Sequence, residues 1–169
     1  MSDDRRIFKA AILTASDKGS RGEREDLSGP AIQEMIEPEG YTVTVYKIVP
    51  DDQKTLETEM ARIADEGLAD IIFTTGGTGF SMRDVTPEAT LAVSDRLVPG
   101  IPEAMRAYSM TITNKAMLSR AAAGIRKQTL IVNMPGSPKA VKESLEFILP
   151  PLRHGLEILL GEASECARK

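Results

Sequence analysis

The stretch Asp70–Glu88, DIIFTTGGTGFSMRDVTPE, decides the fold. Its opening residues Asp70–Thr75 are largely apolar and β-branched and read as a short strand. Gly76-Gly77-Thr78-Gly79 then forms a tight glycine-rich loop. Thr86-Pro87-Glu88 carries three marks of a helix start: Thr as N-cap, Pro at the first helical position and an acid in the first turn. That helix is expected to run to about Leu97. Strand, glycine loop and helix in this order make one unit of a layered α/β sheet.

The same alternation extends in both directions. Upstream, Phe8–Ala15 (FKAAILTA) reads as a buried strand and Pro30–Ile36 as a short helix with Ser28 as its cap. Gly40 breaks the chain, and Thr42–Val49 (TVTVYKIV) alternates as a second strand. Pro50 and Asp51 open a helix in which Leu56, Met60, Ile63 and Ala64 share one apolar face, with Gly67 as a stop. Downstream, Pro99-Gly100 is a break and a helix follows from Pro102. Ile112–Gly124 shows no clear period. Thr129–Met134 (TLIVNM) is the last strand, and Pro135-Gly136-Ser137-Pro138 starts another helix. The helical pattern of Leu145–Leu160 is interrupted by Pro150-Pro151. Strands separated by helices imply mostly parallel pairing with right-handed crossovers.

The 169 residues fit a single domain, with expected tails at 1–6 and 162–169. A hydrophobic share of 41% and a charged share of 27% are those of a globular chain, not a disordered one. A formal net charge of −4 carries no electrostatic footprint for nucleic acid. One cysteine, Cys166, can form neither an internal disulfide nor a cysteine zinc site, and reads as a tail thiol. No apolar run is long enough to span a membrane, so the expected location is cytoplasmic.

In a parallel α/β sheet, ligands bind beyond the carboxyl ends of the strands. Four loops lie there: Ser16–Ser28, Pro50–Gln53, Gly76–Thr86 and Pro135–Pro138. Gly76–Gly79 is neither a P-loop, which needs a following Lys-Ser/Thr, nor a dinucleotide fingerprint, which needs a third glycine where Met82 stands. Its backbone N–H groups can still approach a phosphate. Asp51 and Asp84 fall on the same sheet edge, and two carboxylates beside a phosphate loop suit Mg²⁺. Each also fits a plain cap or turn. Ser137-Pro138 offers a helix N-terminus to an anion or caps in the ordinary way. Ser16-Asp17 ends the first strand and fits a plain turn. Lys18, Arg21 and Arg24 meet phosphate or are solvated. His154 reads as a packing or capping residue, not a base.

Thr74-Thr75-Gly76-Gly77-Thr78-Gly79-Phe80 with Arg83-Asp84-Val85-Thr86-Pro87-Glu88-Ala89-Thr90 is far more specific than a glycine loop. This run closely resembles the signature of the molybdenum-cofactor biosynthesis family, which includes molybdopterin adenylyltransferases and the matching domain of gephyrin. Ser16-Asp17 with Glu25-Asp26-Leu27-Ser28-Gly29, Asn133-Met134-Pro135-Gly136-Ser137-Pro138, and Phe147-Ile148-Leu149-Pro150 with His154 are similar to further family segments. The resemblance spans about Phe8 to Leu160.

It implies a three-layer α/β/α sandwich with a mostly parallel sheet, commonly a homotrimer. It implies transfer of AMP from ATP to the terminal phosphate of molybdopterin, with Mg²⁺ as cofactor. Asp51 and Asp84 match the family's essential aspartates and are the expected catalytic and metal-holding residues. The expected substrate-binding residues are Ser16, Asp17, Thr75, Gly76, Gly77, Thr78, Gly79, Ser119, Pro135, Gly136 and Ser137. Asn114, Ser119 and Arg120 are candidates for reading the pterin ring. A transient contact with a downstream metal-insertion protein is a further implication. Met82 departs from the family, where several relatives have proline. Two other readings stay open: a non-catalytic molybdopterin carrier or scaffold, and another nucleotide enzyme of the same fold, akin to the competence-damage protein domains.

Overall fold

The structure is a computed structural model that describes residues 6–162. The expected tails fall outside that range except for Arg6 and Glu162, whose side chains pair. Cys166 also lies outside it.

Six strands form one sheet: β1 (Phe8–Ala15), β2 (Tyr41–Val49), β3 (Ile71–Thr75), β4 (Arg96–Leu97), β5 (Ala123–Arg126) and β6 (Thr129–Met134), in the order β2-β1-β3-β6-β5-β4. The four strands from β2 to β6 are parallel. The last two run antiparallel, β5 on β6 and β4 on β5. Alternate residues of each inner strand face opposite layers. Phe8, Ala10 and Ile12 of β1 join Ile71, Phe73, Leu130 and Val132 in one core. Ala11, Leu13, Ile72 and Ile131 join the other. The first core is covered by α2 (Ser28–Ile36), α5 (Gly100–Met110) and α6 (Pro138–Leu159). The second is covered by α3 (Gln53–Asp65) and α4 (Thr86–Val93). A short helix α1 (Asp17–Ser20) follows β1. The result is the expected three-layer α/β/α sandwich, with a mixed edge.

Local chemistry sets boundaries that periodicity misplaced. The helix after β2 starts at Gln53 because Asp52, not Asp51, caps it: Asp52 accepts from the Thr55 N–H at 2.8 Å. Ser28 is not the cap of α2 but its first residue; Asp26 accepts from the N–H groups of Ser28 and Gly29, each at 3.1 Å. Thr86 is likewise the first residue of α4 and makes no cap bond. That helix stops at Val93, short of Leu97, because β4 pairs there with β5. The following helix begins at Gly100, ahead of Pro102.

The most distinct correction is α6, which continues through Pro150 and Pro151. A proline inside a helix removes a hydrogen bond and costs about 3 kcal/mol. Both prolines point outward, while Val141, Leu145, Ile148, Leu149, Leu152 and Leu156 are buried along the inner face. Burying one such side chain is worth roughly 1.5–3 kcal/mol, so the face outweighs the missing bonds. His154 lies mid-helix and exposed, with Nδ1 3.9 Å from a Glu157 carboxylate oxygen.

The segment without a clear period resolves into a 3₁₀ helix (Asn114–Leu118) and β5. Asn133 pins it to the sheet. Fully buried on β6, its Nδ2 donates to the hydroxyls of Thr74 and Thr90, at 2.9 and 2.8 Å. Its Oδ1 accepts from the Ala122 N–H at 3.0 Å. One side chain thus ties β3, β6, α4 and the entry to β5 together.

Candidate functional site

The chain leaves β1 for β2 on one side and returns to β3 on the other. The sheet therefore has a switch point between the carboxyl ends of β1 and β3, where a ligand crevice forms. A cavity of about 360 Å³ opens at that point, with Ser16, Thr75, Gly76, Gly77, Asp51, Asp84 and Gly136 on its walls. A second cavity of about 250 Å³ shares Gly136 and is walled also by Thr78, Ser119 and Pro135.

Backbone shape makes the shared wall. Gly76 and Gly77 both have positive φ, 88° and 68°. A Cβ on Gly76 would lie 2.5 Å from the carbonyl oxygen of Ala15. The glycine loop can therefore lie directly against the end of β1. Thr75 donates its hydroxyl to the Pro135 carbonyl at 2.6 Å, which joins the loops after β3 and β6. Ser28 donates to the Gly136 carbonyl at 2.6 Å and brings α2 to the same junction.

The carboxylates follow from these loops. Asp17 and Asp51 exchange hydrogen bonds: the Asp17 N–H donates to Asp51 Oδ2 at 2.8 Å, and the Asp51 N–H donates to Asp17 Oδ1 at 3.0 Å. Arg83 closes on Asp17 with Nε and NH2 donors at 2.9 and 2.8 Å. That pairing holds the Asp17 carboxyl below the usual carboxylate range. Burial pushes the Asp51 carboxyl up, and the negative charges of Asp17 and Asp84 add to the rise. Asp84 sits in a tight turn, its Oδ2 accepting from the Ser81 N–H at 2.9 Å. At the start of α4, two residues after Asp84, the Thr86 hydroxyl is buried with no hydrogen-bond partner. A Cβ on Gly77 would lie 2.4 Å from that hydroxyl and 3.5 Å from Asp51 Oδ1.

The structure thus separates the expected substrate residues into groups. Ser16, Thr75, Gly76 and Gly77 line the first cavity; Thr78, Ser119 and Pro135 line the second; Gly136 lines both. Asp17 lines neither cavity and is bonded to Asp51, which lines the first. Gly79 gives its carbonyl to Arg120, and a side chain there would press on Asp84. Ser137 caps α6 by accepting from the Ala140 N–H at 3.1 Å. Ser16 also caps, holding α1 through the Gly19 N–H. Of the loop cations, Arg24 lines the first cavity and Arg21 pairs with Glu23. Asn114 lies in the 3₁₀ helix and lines neither cavity. Periodicity and spacing did not single out the Thr86 hydroxyl or the tie from Ser28 to Gly136. The signal for Thr86 was its place two residues after Asp84, masked by its reading as a cap.

The profile of a family described as "Probable molybdopterin binding domain" matches residues 11–154. A Helicobacter pylori J99 protein named molybdopterin adenylyltransferase is 41% identical over 162 residues, 94% of this chain and 91% of its own. A protein of the same name from Escherichia coli K12 is 41% identical over 143 residues, 83% of this chain and 73% of its own. Among solved structures, the molybdopterin biosynthesis enzyme MoaB of Thermus thermophilus superposes with a TM-score of 0.88 at 45% identity, over 94% of this chain and 100% of that one. With the matched profile covering both cavities, the chain belongs to the family of probable molybdopterin binding domains.

Proposed function

We propose that this protein is a molybdopterin adenylyltransferase acting in molybdenum-cofactor biosynthesis. It transfers AMP from ATP to the terminal phosphate of molybdopterin and releases pyrophosphate. The observation that carries this reading is the meeting of Asp51 and Asp84 in one cavity that shares Gly136 with a second. One cavity takes the nucleotide, its neighbour the pterin, and the glycine loops stand between them.

An oxygen of the molybdopterin phosphate bonds to the α-phosphorus of ATP as the bond to the bridging oxygen breaks. Pyrophosphate leaves with that electron pair. A phosphate monoester has a second pKa of about 6, so the nucleophile is already largely ionised near neutrality and needs no strong base. This agrees with the place of His154 on α6, sixteen residues from its start at Pro138, roughly 24 Å along the helix. Catalysis rests on positioning and on charge stabilisation.

The first cavity is acidic: Glu25, Asp26, Asp51 and Asp84 face it against Arg24. A polyphosphate needs a counter-charge there. Two carboxylates and an unpartnered buried hydroxyl give a set of hard oxygens that fits Mg²⁺. Asp51 and Asp84 would hold the ion, with Thr86 beside them. When bound, magnesium supplies the positive charge that offsets charge on the reacting phosphates. The chain's own part is to hold two carboxylates in place: Asp17 orients Asp51, and the Ser81–Asp84 turn orients Asp84.

A homotrimer, a transient contact with a downstream metal-insertion protein and a cytoplasmic location are proposed on the family resemblance. An apolar surface hollow walled by Val98, Ile101, Phe147 and Leu159 supports subunit association. Among the described residues no helix is long and apolar enough to cross a membrane. The test of function is ATP-dependent formation of adenylylated molybdopterin, followed by mass spectrometry. Molybdopterin binding without product would favour the carrier reading.

A further inference from the structure

The loop between β3 and α4 carries Asp84 but holds itself together weakly. Asp84 and Ser81 bond to each other, with Asp84 N–H to Ser81 O at 2.9 Å and Ser81 N–H to Asp84 Oδ2 at 2.9 Å. These bonds shape the turn at its tip, and the Thr86 N–H donates to the Gly77 carbonyl at 3.1 Å to close the base of the loop. Arg83 reaches across to Asp17, but its side chain is largely exposed.

Arg120 adds an anchor from the segment before β5. Its backbone N–H donates to the Thr78 carbonyl at 2.9 Å. Its Nε donates to the Gly79 carbonyl at 2.8 Å and its NH2 to the Asp84 carbonyl at 2.7 Å. Its NH1 pairs with Glu88 in the first turn of α4. One residue therefore grips the loop before and after its tip and joins it to the helix behind. The geometry needs a planar fork, because two carbonyls and a carboxylate are met in different directions by one rigid group. An ammonium cannot reproduce it. Arg120 is also tied to the second cavity by its neighbour Ser119, which lines that wall.

We infer that Arg120 is a positioning residue for adenylyl transfer, fixing Asp84 by clamping the Thr78–Asp84 loop. This rests on the proposed function for its kinetic arm only. Its guanidinium is committed to the loop, which sets it apart from a reader of the pterin ring. Loss of the clamp lets the Asp84 carboxylate wander by an ångström or so, and misplacement on that scale costs about 10²-fold in rate.

The experiment compares wild type with Arg120→Lys, Arg120→Ala and Glu88→Gln. Amide hydrogen exchange is read by mass spectrometry on peptides spanning 78–86, together with kcat and KM for ATP. In Arg120→Lys, exchange across 78–86 rises at least about tenfold while β1, β3 and β6 stay protected. Its kcat falls about 10²-fold, with KM for ATP within about threefold. Glu88→Gln keeps an acceptor and shows the same pattern, weaker. A merely structural role would instead lower the unfolding midpoint and leave kcat per folded molecule unchanged. Unchanged exchange over 78–86 in Arg120→Lys, or unchanged kcat, overturns the inference, and neither reading needs the alanine variant to fold. Wild type without adenylyl transfer would refute the proposed function, while the exchange arm would still decide the clamp.

Discussion

Asp17 and Asp51 each accept a hydrogen bond from the other's backbone N–H, which joins the end of β1 to the end of β2 beside the cavity that Asp51 lines. The two carboxylates are therefore neighbours by construction, and they differ in what surrounds them. Asp17 is paired with Arg83, so its charge is favoured. Asp51 is partly buried beside two other negative charges, so its charge is disfavoured.

That asymmetry sets a pH dependence. Asp51 titrates above its ordinary value of 3.8. In the proposed mechanism it serves as the carboxylate, so activity should rise with pH through that raised value. Replacing Asp17 by Asn removes one of the charges that raise it. The acid limb of the kcat/KM profile should then move to lower pH at constant magnesium. An acid limb that stays in place would show that Asp17 does not govern Asp51.

Gly77 tests the close approach of the glycine loop to Thr86. Gly77→Ala meets both a positive φ of 68° and a hydroxyl 2.4 Å from the new Cβ. Gly22 has a similar φ of 73° with open space around it. A left-handed conformation costs a residue with a Cβ roughly 1–2 kcal/mol. Gly22→Ala should lose about that much in urea unfolding, and Gly77→Ala at least about 1 kcal/mol more. Equal losses would mean that the loop yields freely.

Asp65 offers a stability test away from the site. Arg126 grips it with two donors at 2.8 Å and Lys127 adds a third contact at 3.1 Å. Hydrogen bonding to Arg126, then to Lys127, lowers its carboxyl from 3.8 to about 2. A lowered carboxylate pKa contributes stability above the unfolded value, and that contribution is lost as pH falls from 3.8 toward about 2. Asp65→Asn should flatten this part of the acid denaturation curve and leave the cavity chemistry intact. An unchanged acid slope would count against the pair.

Much of the fold was written in local pattern. Phe8–Ala15 and Thr129–Met134 were legible to the residue because inner strands of a parallel sheet are short apolar runs between turn residues. The sheet edge holding Asp51 and Asp84 followed from the alternation of strands and helices. What stayed hidden depends on distant partners. Nothing local shows that α6 survives Pro150-Pro151, because its buried face packs on a sheet formed far upstream. Arg120 lies in a segment without period, and its contacts at Gly79, Asp84 and Glu88 are 32 to 41 residues away in sequence. Asp51 and Asp52 are adjacent acids, and only the geometry shows that the second caps the helix and leaves the first to the cavity.

The most direct measurement is pyrophosphate release from ATP and magnesium, with and without molybdopterin, in wild type and Asp84→Asn. Wild type should release pyrophosphate only when the pterin is present. Asp84→Asn should be slower by at least about 10²-fold, the size of effect expected when a charge-stabilising group is lost, while its Kd for molybdopterin stays close to that of wild type. Wild type that binds the pterin yet releases no pyrophosphate, or Asp84→Asn with full activity, would contradict the assignment.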